Sequence, residues 1–242
     1  MFEGCCAFDL EISAQIPPNC KDWWSLGELG VTCAAAAMIK DGNILMPAEH
    51  WWAGMYRQFS EGYPNGFAER MDIAELGGIL SMLALYSTRP IITWNGLGFD
   101  YRVIAQALPS AKKVCVTLAM EGYDLGLQMY AELGFMGGLD KVAKSLGLAG
   151  KSSNTTGASA TSLWRVGQQQ RVIDYCINDA ITTSQVALAL EDEGRVSWRG
   201  YRGTVEWIFK GPKTGAECLR LIKSRYAENY TWPISKFTEW ME

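Results

Sequence analysis

The chain of 242 residues is 48% apolar and 12% aromatic, with charged residues at 20%; that is enough chain for a sizeable core and too apolar a composition for disorder. The longest uncharged apolar run, Val31 to Ile39, falls far short of the roughly 20 residues of a membrane-spanning helix. Glu3 and Asp9 stand where a secretory signal would carry positive charge. A soluble protein with no membrane partner is expected. Seven cysteines, an odd number with no C-x-x-C spacing, argue against a disulfide framework or a zinc ribbon and for reduced thiols in the cytoplasm. His50 is the single histidine, which excludes a His-rich metal site and leaves chemistry to carboxylates, hydroxyls and metal ions. The net charge of −4 is unevenly spread: residues 1–193 carry 13 Lys and Arg against 21 Asp and Glu, and residues 194–242 carry 9 against 5. That asymmetry is a hint of a polyanionic ligand, which the acidic average hides.

In chain order, Cys6, Phe8, Leu10 and Ile12 alternate with Ala7, Asp9 and Glu11, the period of a strand. Val31–Ile39, the turn Lys40-Asp41-Gly42 and Asn43–Met46 read as a hairpin. Residues 67–86 carry Met71, Ala74, Leu76, Ile79, Leu80 and Leu83 at helical spacing. Beyond Pro90, Ile91–Trp94 is a short buried strand and Asn95-Gly96-Leu97-Gly98 a turn, with Asp100 at the N-cap of a helix running from Tyr101 to Leu108. Val114–Leu118 is read as a further strand, 124–134 and 139–147 as helices, Lys151–Ser162 as a polar loop, and 167–192 as one long helix. Strands separated by helices imply an α/β fold with a mixed central sheet covered on both faces. The texture turns to Trp, Arg and Gly at residue 194. We therefore expect a main domain over 1–193 and a C-terminal extension over 194–242 packed on it.

Asp9 and Glu11 lie two apart on an otherwise apolar strand and so share a face. Two buried carboxylates repel each other and lose hydration, which a divalent ion between them relieves; an edge strand with a solvated polar face is the other reading. Asp100 follows a strand and a glycine turn, at the sheet end where α/β proteins place ligands, although a helix cap would also use an Asp there. Tyr175 and Asp179, four apart on the long helix, project from one face.

Together these residues resemble the DEDD superfamily of 3′–5′ exonucleases, which have a ribonuclease H-like fold. Phe8-Asp9-Leu10-Glu11 matches the family's D-x-E motif on the first strand. Asn95-Gly96-Leu97-Gly98-Phe99-Asp100 matches the second motif, and Tyr175-Cys176-Ile177-Asn178-Asp179 matches Y-x-x-x-D on a late helix. The histidine branch of the superfamily has His five residues before the last Asp; that position is Asp174 here, so the chain is similar to the tyrosine branch, to which polymerase proofreading domains belong. The resemblance spans residues 5 to 190.

The resemblance implies that Asp9, Glu11, Asp100 and Asp179 hold two Mg2+ ions, with Mn2+ as a substitute, about 4 Å apart across the scissile phosphodiester. Asp9, Glu11 and Asp179 would hold the ion that activates water, Asp9 would bridge to the second ion, and Asp100 would bind that one mostly through water. Tyr175 would orient the water. Asn95 and Phe99 are placed in the substrate groove, a core wedge under Asp100 being the other reading of Phe99. Lys151 is placed as a phosphate contact from its loop; a P-loop is rejected because Ser145 stands where that motif needs Gly. The expected function is a metal-dependent 3′–5′ exonuclease on single-stranded DNA or RNA 3′ ends, DNA slightly favoured, releasing nucleoside 5′-monophosphates, with any polymerase or repair partner on a separate chain. The rivals are a catalytically silent nucleic-acid-binding module of the same fold and another ribonuclease H-like nuclease. Arg199, Arg202 and the tryptophans of the tail are read either as backbone contacts beside the groove or as a structural strap.

Overall fold

The strand β1 (Cys6–Ile12) sits at the centre of a mixed six-stranded sheet in a computed structural model that describes residues 1–45, 51–53, 69–86, 89–150, 156–200, 203–225 and 233–242. β2 (Val31–Lys40) pairs with it antiparallel, Asp9 opposite Ala35 and Glu11 opposite Cys33. β3 (Asn43–Leu45) and β4 (Trp51–Ala53) both pair with β2 antiparallel. On the other side of β1, β5 (Ile91–Thr93) and β6 (Tyr123–Asp124) run parallel to it. The order is β3-β2-β1-β5-β6. Among the sequence-read positions, Met46, His50, residues 67–68, Lys151, Arg202 and Trp232 lie outside the described residues.

The two faces of β1 face different helices because side chains alternate along a strand. Cys6, Phe8, Leu10 and Ile12 enter a core with α1 (Ile73–Tyr86), α2 (Asp100–Ala107) and α3 (Lys112–Glu121). The opposite face meets α7 (Gln169–Glu193), whose Cys176 and Ala180 pack with Cys33, Ala35 and Ala37 of β2. Small side chains on both partners let helix and sheet approach closely: the Ser184 hydroxyl donates to the Ala37 carbonyl at 3.4 Å, and the Cys176 thiol contacts the Asp9 carbonyl at 3.5 Å. That close seat brings the third motif against the first.

Four sequence expectations are corrected. The first helix begins at Ile73 and not near 67, because Asp72 and Glu75 cap it reciprocally: the Glu75 amide donates to Asp72 and the Asp72 amide to Glu75. Ala74, placed on its apolar face, is exposed. Val114–Leu118 is helix within α3: despite its β-branched residues, Cys115, Leu118 and Ala119 are buried at helical spacing, and tertiary burial overrides strand propensity. The polar stretch ending at Ser162 contains the start of α6 (Gly157–Arg165), nucleated by a capping box between Thr156 and Ser159. The helices at 124–134 and 139–147 are α4 (Leu125–Leu133) and α5 (Leu139–Ser145).

α7 ends at Gly194, whose positive φ of 66° reverses the chain. The hairpin β7 (Arg195–Gly200) and β8 (Gly203–Ile208) follows, then α8 (Gly215–Ser224) and the short α9 (Ser235–Thr238). Val196, Trp198, Trp207 and Phe209 are buried with Phe2, Ile39 and Leu190, and Cys218, Leu219, Ile222 and Phe237 are buried with the α1–α3 side of the sheet. Trp198 and Trp207 are therefore in the core, as a strap requires, while Arg199 is exposed on the hairpin.

Candidate active site

Asp9 and Glu11 leave the face of β1 that α7 covers, near the carboxyl end of the strand. The pairing register slips between Glu11 and Ile12, so that Thr32 is the extra residue and its hydroxyl donates to the Glu11 carbonyl at 3.1 Å. A bulge here re-aims the strand just where its carboxylates project. From α7, Asp179 reaches the same point. Carboxylate oxygens of Asp9, Glu11 and Asp179 lie within 4.8 Å of one another, with Glu11 and Asp179 buried and Asp9 half-buried. One turn earlier, Tyr175 is 5% exposed. Its hydroxyl is held protonated, first by burial and then by the negative field of Asp179, Glu11 and Asp9, and it is hydrogen-bonded to Asp179.

Asp100 stands outside this group of three. It is the first residue of α2 and not its cap; Phe99 occupies the cap position and makes no side-chain capping bond. The Asp100 carboxylate instead accepts from the Leu10 amide at 3.2 Å, between the two acidic residues of β1. Burial, then the nearby Asp124 and Asp179, push its pKa up to about 7. A group this acidic, built from hard oxygen donors with no thiolate or imidazole among them, fits a hard divalent cation.

Asp124 is the residue that sequence reading missed. It ends β6 and caps α4, and its side chain is 2% exposed. One of its oxygens accepts from the Asn95 amide at 2.7 Å and the Leu127 amide at 2.9 Å; the other accepts from the Leu97 amide at 2.9 Å. Asp124 thus clamps the turn that leads to Asp100 onto the start of α4. Burial lifts its pKa to about 6 against the pull of these amides. Its sequence signal was an Asp immediately before a helical run, the ordinary mark of an N-cap. The turn itself is tight: Asn95 has a positive φ of 72°, and a methyl at Gly98 would meet the Asn95 Oδ1 at 2.6 Å and the buried Phe237 ring at 3.2 Å. Trp240 also ties down the turn, its indole N–H donating to the Leu97 carbonyl at 2.9 Å.

Asn95 and Phe99 are half-buried and line a groove of about 490 Å³. Phe99 meets the rings of Trp23 and Trp24 at centroid distances of 5.9 and 5.8 Å.

Two comparisons bear on this arrangement. The model of a family described as a predicted 3′–5′ exonuclease related to the exonuclease domain of PolB matches residues 122–209. That stretch holds Asp124, Tyr175, Asp179 and the β7–β8 hairpin, and leaves Asp9, Glu11 and Asp100 outside. The solved structure of the family B DNA polymerase from the hyperthermophilic archaeon Pyrobaculum calidifontis superposes with a TM-score of 0.51 at 18% identity, over 77% of this chain and 24% of the polymerase. The fold is ribonuclease H-like. Both findings agree with the resemblance to DEDD exonucleases carried by the three motifs. The chain spans about a quarter of the polymerase it matches. A search of curated proteins found no match. Among the described residues no helix is long and apolar enough to cross a membrane.

Proposed function

We propose that this protein is a metal-dependent 3′–5′ exonuclease that hydrolyses phosphodiester bonds at single-stranded 3′ ends, DNA slightly favoured over RNA, and releases nucleoside 5′-monophosphates. The observation that carries this reading is the convergence of Asp9, Glu11 and Asp179 within 4.8 Å, with the Tyr175 hydroxyl hydrogen-bonded to Asp179. It is supported by a family match described as a PolB-related exonuclease and by the fold of a family B polymerase.

Asp9, Glu11 and Asp179 would hold one divalent ion and Asp100, with Asp9, a second; bound Mg2+ or Mn2+ supplies a water of lowered pKa and charge to offset the phosphodiester. The chain's own residues do the rest. Tyr175 is uncharged at neutral pH and works as a hydrogen-bond partner that fixes the attacking water, not as a base. The Asn95–Phe99 turn, braced by Asp124, walls the terminal nucleotide and carries Asp100 to its place. Lys151 is retained as a phosphate contact. The seven unbridged cysteines support a cytoplasmic setting, and the likeness to part of a polymerase supports a polymerase or repair partner on a separate chain.

The test is a 5′-labelled single-stranded oligonucleotide with Mg2+. The expected result is a ladder shortening from the 3′ end one nucleotide at a time, lost on chelation. Degradation from the 5′ end, or undiminished activity in excess chelator, overturns the reading; failure to bind metal or cleave would favour the silent module, and nicking of a circular strand another nuclease.

A further inference from the structure

The groove beside the Asn95–Phe99 turn has a composition that the metal site does not explain. One wall is the 3₁₀ turn Trp23–Leu26 of the β1–β2 connection, and the other is the C-terminal α9. Three aromatic rings, Trp23, Trp24 and Phe99, cluster on the first wall. Three cations line the same space: Lys21, Arg102 and Lys236. Two carboxylates, Asp22 and Glu239, also line it, so among the described residues the charged lining is positive by one, beside a site that is strongly negative.

Arg102 is the most informative of these. Its guanidinium lies 3.9 Å from the centre of the Trp24 ring, in the field of Glu239 and Asp22, and its buried Nε has no hydrogen-bond partner among the described residues. A buried guanidinium N–H left without an acceptor is costly, and such groups find their partners in ligands or ions. A phosphate oxygen is the acceptor that Arg geometry suits best. Flat aromatic faces beside cations are the recurring composition of sites for single strands, since every base offers a π-face and every linkage a phosphate. The volume, about 490 Å³, belongs to the size class of single-ligand sites, a nucleotide unit and not a folded partner.

The position decides which nucleotide. Phe99 is bonded directly to Asp100, and the β1–β2 connection continues from Glu11 and Ile12, so the aromatic wall leaves the sheet at the acidic end. We propose that this groove, completed by the C-terminal α9, holds the nucleotide next to the 3′-terminal one, its base against the cluster of Trp23, Trp24 and Phe99 rings and its phosphate at Arg102 and Lys236. The identity of the strand rests on the exonuclease reading above; the groove itself rests on its own rings and cations.

The experiment separates the two. Binding of oligothymidylates two to six nucleotides long, with phosphorothioate 3′ linkages and Mg2+, is measured for the full chain and for Trp24→Ala and Lys236→Gln, with 2′-O-methyl oligouridylates as a second arm. Affinity should tighten as the strand lengthens enough to fill the groove. Trp24→Ala should weaken the longer strands roughly 5- to 100-fold and flatten that length dependence. Lys236→Gln, a substitution at an exposed position, should lower the salt slope by about 0.7. Stacking is blind to the sugar, so both arms should respond. Strand binding that depends on Trp24 in a protein without cleavage activity would sink the exonuclease reading and keep the groove. Cleavage with unchanged length dependence and salt slope in both variants would overturn the groove and keep the exonuclease.

Discussion

Asp124 offers the sharpest test of how the second motif is positioned. Asp124→Ala removes both carboxylate oxygens and strands three backbone N–H groups. Asn95 is half-buried, so water can reach its amide; Leu97 and Leu127 are 0% exposed, so theirs have no substitute. A buried donor that loses its acceptor costs about 1–3 kcal/mol, so two cost roughly 2–6 kcal/mol. Against this, the variant escapes the cost of burying an anion. The pKa of Asp124 rises from 3.8 to about 6, worth on the order of 3 kcal/mol once the carboxyl is ionised in both states. Because the folded-state value lies above the unfolded one, the stabilisation from Asp124 is full below about pH 4 and shrinks as pH rises through 6. The expected result, from denaturant unfolding at pH 5 and pH 8, is a variant less stable than wild type at pH 5, with a deficit smaller at pH 8 by about 1–2 kcal/mol. The exonuclease rate at a temperature where the variant stays folded should also fall, since the turn that carries Asp100 has lost its brace. Equal stability at pH 5, or a deficit that grows with pH, would refute the reasoning.

Asp9→Asn or Asp179→Asn should abolish cleavage in a gel assay while the circular dichroism spectrum stays close to wild type, because each removes a charge from the acidic group of three. Tyr175→Phe deletes one hydrogen bond to a charged partner, about 1.5–3 kcal/mol, so single-turnover rates should drop on the order of 10- to 100-fold with metal affinity hardly changed; wild-type speed would exclude a role for the hydroxyl. Asp100 has a pKa raised to about 7 by burial, which makes the metal-free protein lose stability as pH rises from about 4 to 7; Asp100→Asn should flatten that decline in apo melting curves, and Mg2+ should restore wild type most at the alkaline end.

The central elements were legible because their signals are local. The alternation in Cys6–Ile12 and the Tyr175–Asp179 spacing reveal both faces that meet at the acidic group. What was not legible depends on tertiary contact. Nothing in Val114–Leu118 announces a helix; burial of Cys115, Leu118 and Ala119 against α2 and α8 decides it. Asp100 looked like a cap, and only the approach of β1 shows its carboxylate bonded to Leu10. Asp124 is invisible as a brace because its partners Asn95 and Leu97 lie nearly 30 positions away. Trp23, Trp24 and Lys236 are remote in sequence and meet only in the folded groove. Among the described residues the cations lining it are Lys21, Arg102 and Lys236; Arg199, suggested with Arg202 by the tail's charge, is not one of them.

The most direct test of the central claim is a crystal soaked in Mn2+ and thymidine 5′-monophosphate, read by anomalous scattering at the manganese edge. The account predicts anomalous density among Asp9, Glu11 and Asp179, with a second peak on the Asp100 side and the nucleotide phosphate against both; manganese bound elsewhere, with none among these three carboxylates, would contradict it.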